Sequence, residues 1–327
     1  MTIMKTLLNI IFCSILLMVF SSCQKNIDSF VPDNFQGSAD TVWQANVSAN
    51  AAIVSLRNDL KIAKMTDSFS YSNTGIAFSS GIISLTIPVN SLVKNNGLVP
   101  LGVVQRETVL SIKKGDYIAM DMPTTSNDRL LISGGSFFIN LKNNGDNLSI
   151  AQGKKITVKF DAINPFQNNR IFNASPDSIN GFNWVVNNDT AFNKSGITST
   201  GYEIQTNKLQ HVQTARFMDT AGIAQTTLSV KLPFNYTNSN TICYAAFNTL
   251  ECVAGLKANV GLRVFVSPLL PVNRPITVVV ISKQAGDYYL GTLQTNTSIG
   301  ASNPSSTIFI TPTKKSLDFI KTYLNTL

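Results

Sequence analysis

Two cysteines close together, Cys243 and Cys252 in TICYAAFNTLECVAGL, one histidine, His211, and the rings of Trp43, Trp184, Tyr288 and Tyr289 are the side chains that invite a chemical reading. If TICYAAF and TLECVAG form a hairpin around Phe247-Asn248, the cysteines fall opposite each other. Opposed Cβ atoms in antiparallel strands lie about 4.5–5.5 Å apart, slightly wide of the disulfide ideal. A pair of buried free thiols is the alternative. His211 has no acidic or serine motif around it, and general-base work needs a positioned partner. The sequence holds no G-x-S-x-G, H-E-x-x-H or C-x-x-C, and Gly134-Gly135 lacks a phosphate-loop pattern. Asp146 in NNGDN and Asp189 in VVNNDT lack the repeated carboxylates of a calcium loop. No catalytic, cofactor-binding or metal-binding residue is therefore expected. Trp43, Trp184, Tyr288 and Tyr289 are the rings that could stack on a sugar, with core packing as the competing use.

A third cysteine raises a different chemistry. The amino terminus carries Lys5, then the apolar run LLNIIFCSILLMVF from Leu7 to Phe20, then Ser21, Ser22 and Cys23. The run is too short for a membrane span, which needs about 20 apolar residues, and suits a signal-peptide core. Ser21-Ser22-Cys23 resembles the lipobox of bacterial lipoproteins, although that family prefers Leu where this chain has Phe20. The resemblance implies cleavage after residue 22, lipid on Cys23, and attachment to a membrane. Gln24, a residue other than Asp, implies the outer membrane of the cell envelope.

Removing residues 1–22 from the 327 leaves 305, about two ordinary domains. Hydrophobic residues make up 44% and charged residues only 13%; the formal charge falls from +8 to +7 when Lys5 goes. Basic residues are scattered as pairs such as Lys113-Lys114 and Lys154-Lys155, not gathered into a phosphate-tracking stripe, so no nucleic acid is expected as a partner.

The elements that must position these side chains read mainly as strands. Residues 23–45 look like a lipidated tether. SANAAIVSLRNDLKI places Ile53, Leu56 and Leu60 at helical spacing behind Ser48 as N-cap, with a buried strand as the other reading. GIISLTIPV, VVQRETVLSI, YIAMDM (after a KKGD turn), SFFINL, NLSIA and KKITVKF read as short strands at sandwich-like spacing. The loose stretch between Ala162 and Gly181 marks an expected boundary, and strands resume at GFNWVV, GYEIQT, TTLSVKLPF, GLRVFVSPL, PITVVVISK and DYYLGTL. Leu317, Ile320 and Leu324 share one face of a terminal helix. The expectation is all-β: two consecutive β-sandwich-like domains, residues 46–165 and 176–327, with a short C-terminal helix.

GIAFSSGIISLTIPVNSLV and RLLISGGSFFINLKNNGDNLSIAQGKKITVKF are similar to two halves of the β-sandwich module of netrin receptors, ankyrins and zonula-occludens proteins. That resemblance covers about Gly75 to Phe160 and implies a structural or interaction unit without catalytic residues. MPTTSNDRLLISGGSFFINL and LPVNRPITVVVISKQAGDYYLG resemble a group of Gram-negative envelope lipoproteins. Their second domain often carries Trp-Ile-Asn-Cys-Asp-Arg-Phe, of which HVQTARF here keeps only Arg216-Phe217. Together these readings predict an outer-membrane lipoprotein acting as a non-catalytic binding or structural module for a glycan or an envelope protein. The alternative is a carbohydrate-active hydrolase whose two carboxylates converge only in the fold.

Overall fold

The computed structural model describes residues 42–72, 75–80, 83–162, 164–177, 181–297 and 305–327. The signal segment, Cys23 and the tether up to residue 41 lie outside them. The described residues fall within a single contact unit, Asp40–Leu327.

Apolar-polar alternation builds the first sandwich. In Ile83–Ile87 the side chains of Ile83, Leu85 and Ile87 are buried while Thr86 is exposed, the pattern of a strand with one face on a core. It belongs to a sheet ordered Lys194–Ile197, Gly201–Thr206, Ile156–Asp161, Ile83–Ile87, Ile76–Ser80. Facing it is a larger sheet whose main path runs Met65–Tyr71, Gly102–Ser111, Arg129–Asn143, Gln210–Phe217, Arg170–Asp177, Gly181–Val186. Leu85, Val158 and Phe160 from one sheet meet Val104, Phe137, Ile139 and Val212 from the other in one apolar cluster.

A second pair of sheets repeats the plan. One is ordered Lys257–Asn259, Val264–Val266, Gln225–Lys231, Leu270–Pro271, with Ser305–Phe309 added parallel to Gln225–Lys231. The other runs Val253–Gly255, Thr241–Phe247, Pro275–Gln284, Asp287–Asn296, Thr313–Lys315. Leu228, Val230 and Phe265 pack against Cys243, Ala245, Val278 and Val280 between them.

A third apolar cluster lies between the two sandwiches. Thr241–Phe247 is buried at every position. Cys243, Ala245 and Phe247 point into the second sandwich. Ile242, Tyr244 and Ala246 point the other way, toward Trp184, Phe172 and Leu131 of the first. Helix α1 (Ala52–Leu60), helix α2 (Lys114–Ala119) and helix α3 (Leu317–Leu324) fill the remainder with Leu56, Ile118, Ile320 and Leu324. Glycine 115 lets α2 and α3 touch, since a Cβ there would lie 1.8 Å from the Leu324 carbonyl oxygen.

Arg129–Asn143 serves all three clusters, with Leu130 entering the second sandwich. Phe137, Ile139 and Leu141 enter the first sandwich, yet Leu131, with the same parity, faces the middle cluster. A bulge explains the switch. Ser133 pairs with Ala215 and Gly135 with Thr214, leaving Gly134 as the extra residue. One added residue turns every later side chain to the opposite face. A side chain at Gly134 would meet the Tyr202 ring at 2.8 Å, so the bulge requires glycine.

The all-β, sandwich-like reading therefore holds, with a short C-terminal helix. The boundary differs from the expected one at residues 165–176. Arg170–Asp177 pairs with Gln210–Phe217, which pairs with Arg129–Asn143, and Gly201–Thr206 pairs with Ile156–Asp161. The first sandwich thus extends to Phe217, and the loose stretch from Ala162 contributes the strand Arg170–Asp177 to it. KKGDYIAMDM forms α2 instead of a turn and a strand, because Asp116 accepts the amides of Ile112 and Lys113, each at 2.9 Å, and closes a helical first turn. Helix α1 turns Ile53, Leu56 and Leu60 inward as predicted, but Ala51, not Ser48, is its N-cap. The amide of Ile53 instead donates to the Ser239 carbonyl at 2.8 Å, so the helix start is satisfied from the second sandwich.

Candidate functional site

Cys23 lies outside the described residues. Cys243 and Cys252 are free thiols, both buried. Tyr244 pairs with Gly255 and Ala246 with Val253, so the hairpin turns at residues 248–251 and not at Phe247-Asn248. Cys252 accordingly sits beside Phe247, whose amide donates to its carbonyl at 3.0 Å, while the Cys243 carbonyl takes the Leu256 amide. The expected opposition is lost by four residues. Burial holds the Cys252 thiol up at about 12 and pushes Cys243 higher still, which makes both poor nucleophiles.

The four candidate sugar-stacking rings do not converge. Trp184 is fully buried in the middle cluster with its edge on Phe182, 4.9 Å between centroids, so its face is spent on packing. Trp43 leans on Phe265 at 4.9 Å. Tyr288 donates its hydroxyl to Asp59 at 2.8 Å, and Tyr289 stands edge-on to Tyr236. Successive residues of one strand point to opposite faces, so the Tyr288-Tyr289 pair cannot form a platform.

His211 stacks on Phe138 at 4.8 Å. Burial, helped by the charges of Lys64 and Lys61, lowers its pKa to about 4, so it is neutral at pH 7. No group of three metal-binding side chains is assembled among the described residues. No described helix is long and apolar enough to cross a membrane, a statement that does not bear on β-barrels.

Two polar clusters escaped the sequence reading. In the first, Lys283 on Pro275–Gln284 reaches Asp59 at 2.6 Å and Ser55 at 2.5 Å, both on α1, and Tyr288 joins on Asp59. A serine beside a lysine resembles a nucleophile and its base, but Asp59 holds the Lys283 ammonium above its ordinary pKa. Burial alone would raise the Asp59 carboxyl; the bonds from Lys283, Tyr288 and Ser55 outweigh it and leave it lowered. A lysine kept protonated cannot take a proton. The cluster is a latch between α1 and the second sandwich.

The second cluster lines a cleft of about 510 Å³ where the two sandwiches meet. Arg57 on α1 contacts Asp121 through Nε at 2.6 Å, and Tyr244 donates its hydroxyl to the other carboxylate oxygen. Burial and the Asp121 charge push the Tyr244 hydroxyl well above its usual pKa, so it remains a donor. Asp121 has φ 52° and closes α2, its amide bonding Ile118 and that of Met122 bonding Tyr117. Glycine is the usual residue at this left-handed helix-ending position. The aspartate costs on the order of 1 kcal/mol there and supplies a carboxylate that glycine could not.

On the opposite rim, Asn127 and Asp128 form the two-residue turn between Ser126 and Arg129, at φ 48° and 61°. This is the backbone of a type I′ hairpin. Asp128 meets Lys257 of the second sandwich at 2.7 Å. Asn127 and Asn183 exchange two hydrogen bonds, each 2.9 Å. Gln44 and Asn238 exchange two more where the chain enters. Phe182, Ile53, Val47 and Phe265 supply apolar wall. Both carboxylates in the cleft are matched by a cation, and its remaining polar groups are chiefly amides and hydroxyls. Such a surface offers paired donors and acceptors to a neutral, hydroxyl-bearing ligand.

The chain matches no family model and no curated protein. Fold and cleft together define its class: a two-lobed, all-β protein with sandwich-like lobes and a polar cleft between them.

Proposed function

We propose that this protein is an envelope lipoprotein, held by lipid on Cys23 at the outer membrane, that binds a glycan without catalysis in the cleft between its lobes. The observation that carries the reading is the cleft itself, at a size that suits a small ligand and with every charge in it paired inside the protein. Amide side chains from both lobes supply the directional bonds, and Phe182 supplies an apolar surface for a sugar face. A segment of an envelope protein is the other ligand the same amides would accept.

The hydrolase reading draws on Asp121 and Asp128, two carboxylates lining one cleft. A glycosidase needs a carboxyl group open to the leaving oxygen. Here Arg57 and Tyr244 engage both oxygens of Asp121, and Lys257 engages Asp128.

Native gels cast with a panel of polysaccharides test the reading on the mature chain carrying Cys23→Ser. Retardation by one glycan, reduced by Asn183→Ala, is the expected result. Retardation with shortened glycan would establish the hydrolase, and no retardation would leave the protein partner. The anchor is read separately: mass spectrometry of the native amino terminus is expected to give an acylated Cys23.

A further inference from the structure

An exposed apolar run of the first lobe lies beside Asn143, at the end of Arg129–Asn143 opposite the cleft. In the loop following Leu92–Lys94 and the strand start beyond it, Leu98, Leu101 and Val103 are 63%, 69% and 60% exposed, with Val99 beside them. Glycines 97 and 102, both at φ 80°, shape the two bends. The loop is held open by design of its contacts. Asn143, itself 1% exposed, donates its side-chain amide to the carbonyls of Leu101 and Val103 at 3.0 and 2.8 Å. Lys94 binds the Leu98 carbonyl at 2.9 Å, and the Asn96 side chain takes the Leu98 amide. A buried side chain is thus used to hold out apolar residues that would otherwise fold back. Apolar surface presented in this way marks a contact site.

We infer that this loop rests in the surface of a lipid bilayer, with Leu98 and Leu101 as the inserted residues. Its composition favours lipid over protein: the exposed groups are aliphatic, without the Trp, Tyr or Arg that anchor protein interfaces. The formal charge of +7 left after Lys5 is removed suits an anionic surface. Geometry supplies the strongest argument. Arg129–Asn143 starts at the Asn127-Asp128 rim of the cleft and ends at the Asn143 clamp, a span of roughly 45 Å at strand rise. The described chain begins at the cleft end, where Gln44 pairs with Asn238. Residues 24–41, between the cysteine and that point, reach roughly 60 Å when extended. A tether of that length is sufficient to let lipid on Cys23 and the loop engage one bilayer.

This inference rests on the lipid-anchor reading, and its test is kept independent of the lipid. The mature chain carrying Cys23→Ser is floated with vesicles of phosphatidylethanolamine and phosphatidylglycerol. The expected result is binding that Leu98→Ser with Leu101→Ser reduces at least about tenfold, with the melting temperature and glycan retardation unchanged. Absence of vesicle binding by the parent, or binding equal in the double variant, overturns the inference. So does self-association of the parent that the double variant abolishes, because the loop would then cover a second copy. An unmodified Cys23 in the native protein refutes the anchor alone, and the vesicle result stands apart from it.

Discussion

The cores inside the lobes and the core between them are built differently. Inside each lobe, neighbouring strands present alternate residues to one shared core, as Ile83, Leu85 and Ile87 do beside Phe160 and Val158. Between the lobes, the cluster draws Ile53, Tyr117, Trp184, Tyr244 and Leu324 from segments far apart in the chain, and its rim carries the latch at Lys283 and the paired charges of the cleft. The lesson is a division of labour. Lobe cores make the sheets, whereas the middle core fixes one lobe against the other and so fixes the shape of the cleft between them.

Trp184→Ala is the hardest test of that division and should cost about 3–5 kcal/mol, because the ring is wholly buried. Calorimetry is expected to split the melt into two lobe transitions. Leu85→Ala, inside the first lobe, should cost about 2–5 kcal/mol without decoupling the lobes. If both variants melt alike, the middle core is not what couples them.

His211 gives a pH handle on the first lobe. Its folded pKa, about 4, lies below the unfolded value of 6.5, so the unfolded chain binds the proton first. Stability is then full above pH 6.5 and falls as pH drops toward 4, by up to about 3 kcal/mol. Urea unfolding at pH 7 and pH 4.5 reads this directly, and His211→Gln should flatten the difference. Lys257→Ala should have the smallest effect, within about 1 kcal/mol, because its ion pair with Asp128 is exposed. It should nevertheless change glycan retardation, which separates the cleft's role in binding from its role in folding.

Much of this was legible before the fold was known. ISLTI, SFFINL and ITVKF announce strands by alternation, and PITVVVISK announces a strand with no wet face. Such a run is what a sheet buried on both sides requires, since neither side can take a polar residue. The Asn127-Asp128 turn was not singled out, although both residue types tolerate positive φ. What the sequence hid were matters of pairing. No local pattern shows that Arg170–Asp177 returns to the first lobe, or that the cysteine hairpin turns two residues late. The Gly134 bulge could be read only as two glycines, because its meaning depends on the partner strand. Arg57, Asp121 and Tyr244 have no shared motif; they meet because the last turn of α1, the end of α2 and a buried strand cross at one point.

The seating of α3 against Gly115 has a consequence for how the molecule is made. Ile320 and Leu324 complete the same cluster that Ile53 and Leu56 begin. A polypeptide made from its amino end presents one side of that layer well before the other. The sandwiches can condense earlier, but the clasp between them must wait for α3. Until then each lobe shows an apolar flank to its surroundings.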